Sequence, residues 1–366
     1  MRFIAPLFLM SVVIAAGGCA SIAGIQDLPS AGGSGSAPGA GPNNDPAATF
    51  DAGVLGDGGA ASPPTAVSPT GTAPSCANVP PTCGADGASD CCASLPLPGG
   101  SYYRDYDAKD FTDSTFRATV SPFRLDRFEV TLGRFRGFVA AYTAGWRPAV
   151  GSGANPASQG DDGWSQWAGQ NLPQDGMALE ANLECHTEFQ TYARTPTSDE
   201  NRPINCVTWY VAFSFCVWDG GRLPTDAEMN YAAAGGDDQR YYPWNDSIDE
   251  DHSSYFVDST HQCRGDKVDG CVLADLTPVG THAPGAGKWG HDDLAGNVAE
   301  WVRDGDSSTA ATCNDCIDPA DRGGVRRVRG GAFNSAANAQ VRVAAHETAD
   351  PTAPSERIGI RCARAP

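Results

Sequence analysis

The sequence predicts a single α+β domain that is rich in loops and contains few helices. Three segments carry clear helix start and stop signals, and the strand-like runs between them are short. Elsewhere Gly, Pro and Asp dominate, and the 366-residue chain contains 43 Gly and 27 Pro. These residue types favour turns and irregular backbone over long regular elements.

Residues 1–18 have the pattern of an export signal. Arg2 precedes an apolar run over residues 3–16, and two glycines stand directly before Cys19. A membrane-spanning helix needs about 20 apolar residues, so this shorter run predicts a cleaved signal. Small residues before a cysteine are typical of bacterial lipoprotein signals. The sequence therefore predicts lipidation of Cys19, with an ordinary secretory signal as the alternative.

Three further regions follow the signal. Residues 19–75 are mostly Ala, Gly, Ser, Pro and Thr, and cannot bury enough apolar surface to offset the entropy of ordering. We expect them to form a flexible tether. Residues 76–94 contain four cysteines and are predicted to be a Cys-rich transition. The globular domain is predicted to cover residues 95–366.

The chain has 13 cysteines, an odd number for an exported protein. If Cys19 carries lipid, the others can pair completely in an oxidising compartment. Short spacings predict local bridges between Cys263 and Cys271 and between Cys313 and Cys316. The second pair could also indicate zinc or redox chemistry, but no second CxxC or His pair lies nearby in the sequence. We expect a structural disulfide there.

The net charge is −19, from 44 acidic and 25 basic residues. Such a chain repels nucleic acid phosphates and anionic lipid headgroups, so nucleic acid is not an expected partner. The acidic excess also suits an exported protein that binds cations.

Each of the three predicted helices begins after a threonine, whose hydroxyl can accept an N–H of the first turn. These residues are Thr131, Thr208 and Thr225. The first two helices carry apolar stripes, formed by Phe135, Phe138, Val139 and Tyr142, and by Trp209, Ala212, Phe213, Cys216 and Val217. Glu228 completes a capping box in the third helix. Strand-like runs are expected at residues 123–130, 325–329 and 358–362.

Four segments in the second half of the chain carry a family resemblance through their sequence and order. They read GGRLPTDAEMNYAAAGG (220–236), DLAGNVAEW (293–301), RGGAF (329–333) and RIGIRCAR (357–364). Together with LDRFEVT (125–131), they resemble the formylglycine-generating enzyme, or sulfatase-modifying factor, family over residues 98–364. The resemblance implies that family's C-type-lectin-like α+β fold.

The resemblance also implies a structural calcium site in the segment 293–300. The family's ligands correspond to the side chain of Asp293, the carbonyls of Gly296 and Val298, and the carboxylate of Glu300. All four positions suit calcium, which prefers carboxylate and carbonyl oxygens. The alternative is a tight turn in which Glu300 accepts hydrogen bonds from backbone amides.

The family's copper site is the feature that this sequence lacks. In the resembling oxidases, two cysteines five residues apart follow the Gly-Gly turn and hold Cu(I). Those positions are Ser335 and Gln340 here. A hydroxyl and an amide are not the soft ligands that Cu(I) requires, so copper is not an expected cofactor. The scattered histidines show no metal-binding spacing and are expected to lie at the surface.

These observations predict an exported lipoprotein of the outer membrane or cell surface, attached to the membrane by its lipid anchor. Its domain is expected to be a non-catalytic binding or structural module for a protein or carbohydrate ligand. Two alternatives remain: a formylglycine-generating oxidase with a non-standard site, and a variable ligand-binding protein of the C-type-lectin-like kind.

We expect the mature protein to begin at a diacylated Cys19, and to reach the outer membrane because Ala20 rather than Asp follows. The intact mass of protein purified from membranes measures this directly. A Cys19→Ala variant should lack the lipid mass. An unmodified thiol at Cys19, or cleavage at another residue, would contradict the prediction.

Overall fold

A computed structural model describes residues 73–77, 79, 82–245, 247–306, 312–318, 324–336 and 340–366. The predicted signal, the lipidation residue Cys19 and nearly all of the predicted tether lie outside the described residues. No helix in the described ranges is both long and apolar enough to cross a membrane.

The described chain contains five α-helices, and the three predicted ones are confirmed. They are α1 (Leu132–Thr143), α2 (Gln166–Gly169), α3 (Gly176–Leu183), α4 (Trp209–Trp218) and α5 (Asp226–Ala234). The hydroxyls of Thr131, Thr208 and Thr225 cap α1, α4 and α5 as expected. Glu228 completes the capping box of α5, and Gly235 ends that helix in a left-handed conformation. The predicted stripe on α4 is too narrow, because every residue from Trp209 to Cys216 is buried.

Ten short strands form three sheets in the described part of the chain. The strands are β1 (Ser94–Leu97), β2 (Gly100–Tyr103), β3 (Arg117–Val120), β4 (Phe123–Asp126), β5 (Ala299–Gly305), β6 (Thr312–Asn314), β7 (Arg326–Arg329), β8 (Glu347–Ala349), β9 (Ile358–Gly359) and β10 (Ala363–Arg364). The sheet orders are β1-β4-β10, β2-β3-β6 and β8-β7-β5-β9. Few helices, many loops and short strands confirm the predicted α+β class.

All three predicted strands are shorter than expected, the run 325–329 by its first residue alone. The run 123–130 is a strand only to Asp126, where β4 ends, and the run 358–362 is interrupted between β9 and β10. The interruption matters because it places Arg361 between two sheets. There its guanidinium can reach both the end of β4 and the start of β5.

The largest hydrophobic cluster packs α1 against α4. Phe135 stacks on Phe215 with ring centroids 5.4 Å apart, and Phe138 meets the same ring edge-on at 5.7 Å. Trp301 of β5 is fully buried in this cluster and donates its indole N–H to the carbonyl oxygen of Val207. The helices therefore fix the position of β5, the strand that carries part of the predicted calcium site.

All twelve cysteines after Cys19 form disulfides, which confirms the expected complete pairing. The bridges join Cys76 to Cys92, Cys83 to Cys91, Cys185 to Cys206, Cys216 to Cys362, Cys263 to Cys271 and Cys313 to Cys316. Both predicted local bridges are among them. A bridge that closes a long loop removes more entropy from the unfolded chain, so the one joining α4 to the C-terminus is expected to stabilise the domain most.

The Cys-rich transition is held against the domain by a buried arginine. Arg134 binds the carboxylates of Asp126 at 3.0 Å and Asp219 at 2.8 Å, and these three side chains are fully buried. Its Nε also donates to the hydroxyl of Ser75, whose backbone N–H donates to Asp219. The chain that leaves the predicted tether is thereby fixed next to α1 and α4.

The buried carboxylate of Asp304, on β5, binds the backbone at the first residue of α5. It accepts the backbone N–H groups of Asp226 and Asp318, both at 2.7 Å. Burial, with a smaller contribution from the charge of Asp226, raises the pKa of Asp304 to about 7. The folded state therefore retains a proton on this residue that the unfolded chain releases near pH 4.

The raised pKa of Asp304 predicts a specific pH dependence of stability. The protonated carboxyl of Asp304 contributes fully to the free energy of unfolding below pH 4, and this contribution is lost as pH rises to about 7. The free energy of unfolding should fall by up to about 1.4 kcal/mol for each pH unit in this window, relative to Asp304→Asn. Urea titrations of both proteins between pH 4 and 8 measure the difference. Asp162→Asn, at an exposed position, should follow the wild type; a constant difference for Asp304→Asn would contradict the assignment.

Candidate functional site

The predicted calcium-binding segment is a tight loop that leads into β5. Asp293 and Asn297 have φ angles of 54° and 60°, and Gly296 has one of 82°. A Cβ at Gly296 would lie 2.0 Å from the hydroxyl oxygen of Ser253, so only glycine fits there. The loop therefore ends at Val298, and Glu300 projects from the second residue of a strand, not from the loop itself.

Glu300 is bound by a guanidinium. The alternative of a tight turn expected it to accept hydrogen bonds from backbone amides instead. Its Oε1 lies 3.0 Å from Nε and 2.9 Å from Nη2 of Arg361, and both side chains are fully buried. The second oxygen, Oε2, is buried and has no hydrogen-bond partner among the described residues. A Cβ at Gly330 would lie 2.9 Å from this Oε2, so the Gly-Gly turn keeps the space beside it open.

Glu129 joins this cluster, a role that could not be predicted from the sequence. It accepts the backbone N–H of Val298 at 3.1 Å and the side-chain amide of Asn297 at 2.7 Å. Burial raises its pKa well above the usual value, and the nearby carboxylates of Asp293 and Glu300 add to the shift. Glu129 lies about 170 residues from the loop, as the separation of 169 from Val298 shows, so only the fold reveals the contact.

The cluster fits a divalent cation by charge and by its free oxygens. Glu129, Asp293 and Glu300 are three buried carboxylates, and the fully buried cation among them is Arg361. Asn297 Oδ1, like Glu300 Oε2, is buried and has no partner in the described ranges. No three His, Cys, Asp or Glu side chains of the described chain are placed to hold a metal by themselves. A cation here would need backbone carbonyls as well, as the family pattern implies.

The two positions that the resemblance assigns to the copper ligands, Ser335 and Gln340, belong to a polar network. Ser335 is fully buried, and its hydroxyl accepts the N–H of Ala332 at 2.9 Å and Nη2 of Arg357 at 2.6 Å. The same Nη2 lies 3.2 Å from Oε2 of Glu347. Oε1 of Glu347 accepts the side-chain amide of Gln340 at 2.6 Å. Ser335 and Gln340 are thus linked through one arginine and one glutamate.

This network is chemically opposed to a Cu(I) site. Thiolates hold Cu(I) because they are soft, negatively charged donors. Here the hydroxyl of Ser335 accepts from a guanidinium, and Gln340 presents its N–H toward Glu347. A positive charge and two hard ligands therefore lie at the positions that the resemblance assigns to a thiolate pair.

A pocket of about 160 Å³ opens beside the network. Glu347 and Arg357, which are each about one third exposed, form part of its wall together with Asp350. Ala299, Val328 and Ile358 give it a buried apolar floor. Charged groups above an apolar floor can orient a small ligand that has a polar and an apolar side.

Other residues noted in the sequence have structural roles. Arg222, in the segment 220–236, forms a buried two-point ion pair with Glu228, with both N–O distances at 2.6 Å. The expectation that the histidines lie at the surface is wrong for His282 and His291, which are buried. Burial lowers the pKa of His291 to about 3, so it is neutral and packs as a core residue.

Comparisons with known proteins support the predicted fold and family. A family model described as the sulfatase-modifying factor enzyme 1-like domain matches residues 81–366. The inactive C-alpha-formylglycine-generating enzyme 2 of Mus musculus is 29% identical over 301 residues, covering 74% of this chain and 85% of that protein. The formylglycine-generating enzyme of Thermomonospora curvata is 29% identical over 294 residues, covering 74% and 93%.

A solved structure has a similar fold. PvdO from Pseudomonas aeruginosa superimposes with a TM-score of 0.51 at 21% sequence identity, covering 79% of this chain and 100% of that one. The predicted fold is thereby confirmed. One relative named as inactive and one named as a formylglycine-generating enzyme are both 29% identical to this chain, so overall similarity does not decide the activity.

Proposed function

The chain belongs to the sulfatase-modifying factor family, and we propose from this premise that it is a non-catalytic member, a binding or structural module. The observation that carries the proposal is the link from Ser335 through Arg357 and Glu347 to Gln340. Both positions that the resemblance assigns to the copper ligands hold other residues, and the partners of these two residues, Arg357 and Glu347, are hydrogen-bonded to each other. Relatives named as inactive forms in Mus musculus and Bos taurus support the existence of such members.

The pocket beside this network is the proposed ligand site. Its charged wall and apolar floor suit a small polar group on an apolar stem, as found on a protein side chain or a sugar. The alternative of a diversified, lectin-like loop has less support, because Ser335 in that segment is fully buried. Residues 337–339 lie outside the described residues.

Copper-loaded protein is expected not to convert cysteine to formylglycine. The assay incubates it with a CxPxR peptide and oxygen, and follows the peptide mass. A Ser335→Cys, Gln340→Cys double variant restores both thiols and should bind Cu(I), whereas each single variant should bind it far more weakly. Multiple turnovers by the wild type would refute the proposal. Failure of the double variant to gain copper would show instead that the two positions do not face one site.

We also propose that calcium binds at the loop of residues 293–298 through Asp293, the carbonyls of Gly296 and Val298, and Glu300. Two observations support this: the unpartnered Oε2 of Glu300, and the excess of buried carboxylates over guanidinium groups around it. A bound dication would offset that excess, which otherwise disfavours the folded state. Its role would be structural.

Removing calcium is expected to lower the melting temperature. A ligand that binds only the folded state stabilises it by about 2.7 kcal/mol at a hundredfold excess over Kd. Differential scanning fluorimetry with and without a calcium chelator measures the effect. Glu300→Gln should lower the baseline stability and abolish the response to chelator, whereas Glu188→Gln, at an exposed position, should retain it. An unchanged wild-type melting curve would show that the loop needs no cation.

A further inference from the structure

The disulfide between Cys313 and Cys316 differs from most of the others in its exposure. Four of the six bridges contain at least one cysteine that is no more than 1% exposed. In the bridge from Cys313 to Cys316 both residues are partly exposed, as they are in the bridge from Cys76 to Cys92. Thiols in solution reach exposed disulfides first, because exchange requires direct attack on a sulfur atom.

The bridge from Cys76 to Cys92 has further contacts that hold its two cysteines in place. Cys76 follows Ser75, whose backbone N–H donates to Asp219 and whose hydroxyl accepts from Arg134. Both of these side chains are fully buried. Cys92 follows a cysteine that is buried in another bridge. These contacts would keep the two thiols close together after reduction, and proximity favours re-formation of the bond.

Cys313 and Cys316 lie in one short segment, residues 312–318, which we call the strap. The disulfide joins residues only three apart in the sequence, so it constrains the strap and no distant part of the chain. Asp315 lies inside this small ring with a φ angle of 46°, a left-handed conformation that residues other than glycine seldom adopt. The closed ring therefore helps to hold Asp315 in a conformation that an open chain would leave.

Asp315 attaches the strap to β3. Its backbone N–H donates to the carbonyl oxygen of Thr119 at 2.8 Å. Its carboxylate accepts the backbone N–H of Ser121 at 2.6 Å and the hydroxyl of the same residue at 2.8 Å. β6, at the start of the strap, pairs with β3 in parallel. The two cysteines of the strap also pack against the hydrophobic cluster that includes Ala118 and Val120 of β3.

The other end of the strap is attached to β5. The backbone N–H of Asp318 donates to Oδ1 of Asp304 at 2.7 Å, and its carbonyl oxygen accepts the N–H of Gly305 at 2.9 Å. The second oxygen of Asp304 accepts the N–H of Asp226 at 2.7 Å. Asp226 begins α5 and does not belong to the strap. Its amide is therefore an internal reference for movement of the strap alone.

We propose that the disulfide between Cys313 and Cys316 is redox-sensitive, and that its reduction by a dithiol releases the strap from β3 and β5 while the domain stays folded. One thiolate of the dithiol attacks a sulfur of the bridge, the S–S bond breaks, and a mixed disulfide forms. The second thiolate of the dithiol then attacks that mixed disulfide. The products are the oxidised dithiol and two cysteine thiols, which take up the two protons of the dithiol. The released strap leaves one edge of β3 unpaired.

Graded reduction of the full chain with dithiothreitol, followed by alkylation of free thiols and peptide mass spectrometry, gives the order in which the bridges open. Cys313 and Cys316 should be alkylated roughly tenfold faster than Cys263 and Cys271, whose local bridge contains a fully buried cysteine. The protein reduced at this one bridge should still melt cooperatively. If the bridge opens only together with the fully buried one that joins α4 to the C-terminus, reduction requires unfolding of the core and the proposal is wrong.

Amide hydrogen exchange measures whether the strap is released. After selective reduction, the backbone amides of Ser121, Asp315 and Asp318 should exchange about tenfold faster or more, because each is hydrogen-bonded through the strap. The amide of Asp226 should keep its protection. Unchanged protection of the three strap amides after the bridge has opened would overturn the proposal, and so would equal loss of protection at Asp226.

Two double variants separate this bridge from disulfide loss in general. Cys313→Ser with Cys316→Ser should reproduce the faster exchange of the strap amides without any reductant. Cys263→Ser with Cys271→Ser opens another local bridge and should leave those amides protected. Faster exchange of the strap in the second variant, to the same extent as in the first, would contradict a specific role for the bridge in the strap.

Discussion

The guanidinium of Arg361 is fully buried and joins three separate parts of the chain. It binds Glu300 on β5, donates to the carbonyls of Asp126 and Arg127 after β4, and donates to those of Asp292 and Asp293 at the start of the tight loop. Arg361 can do this because the backbone is irregular between β9 and β10. Removing one member of such a buried pair typically costs about 3–5 kcal/mol, because the other charge stays buried and uncompensated.

The same arginine explains why the loop beside it remains acidic. One guanidinium cannot neutralise Glu129, Asp293 and Glu300 together, and burial raises the pKa of each of these carboxyls. In the absence of a cation, the folded protein would hold protons there that the unfolded chain releases. A bound dication and bound protons each reduce the excess negative charge of these carboxylates, and they compete for the same oxygens.

The parts of the fold that could be predicted are those encoded by short-range chemistry. Thr131, Thr208 and Thr225 mark helix starts because a hydroxyl and the N–H it accepts are three residues apart. β5 could not be predicted in this way. All seven of its residues are buried, so it shows no alternation, and it contains Arg303 and Asp304. The charge of Arg303 is tolerated because a distant partner pairs with it: Asp161 binds it at 2.9 Å.

The candidate site likewise has features that local sequence shows and features that only the fold shows. The resemblance places Ser335 and Gln340 at the cysteine positions of the oxidases from the sequence alone, because their spacing from the Gly-Gly turn is local. The network around them is not visible in the sequence, because Arg357 and Glu347 lie in later segments and meet Ser335 and Gln340 only in the folded domain. The structure also gives a physical reason why these residues are compatible with the fold. A fully buried hydroxyl at Ser335 would be costly alone, but it accepts two hydrogen bonds, one of them from a guanidinium. The disulfides, the Arg361 contacts and the helix caps do not involve Ser335 or Gln340, so the residues at these two positions can vary while the domain keeps its fold.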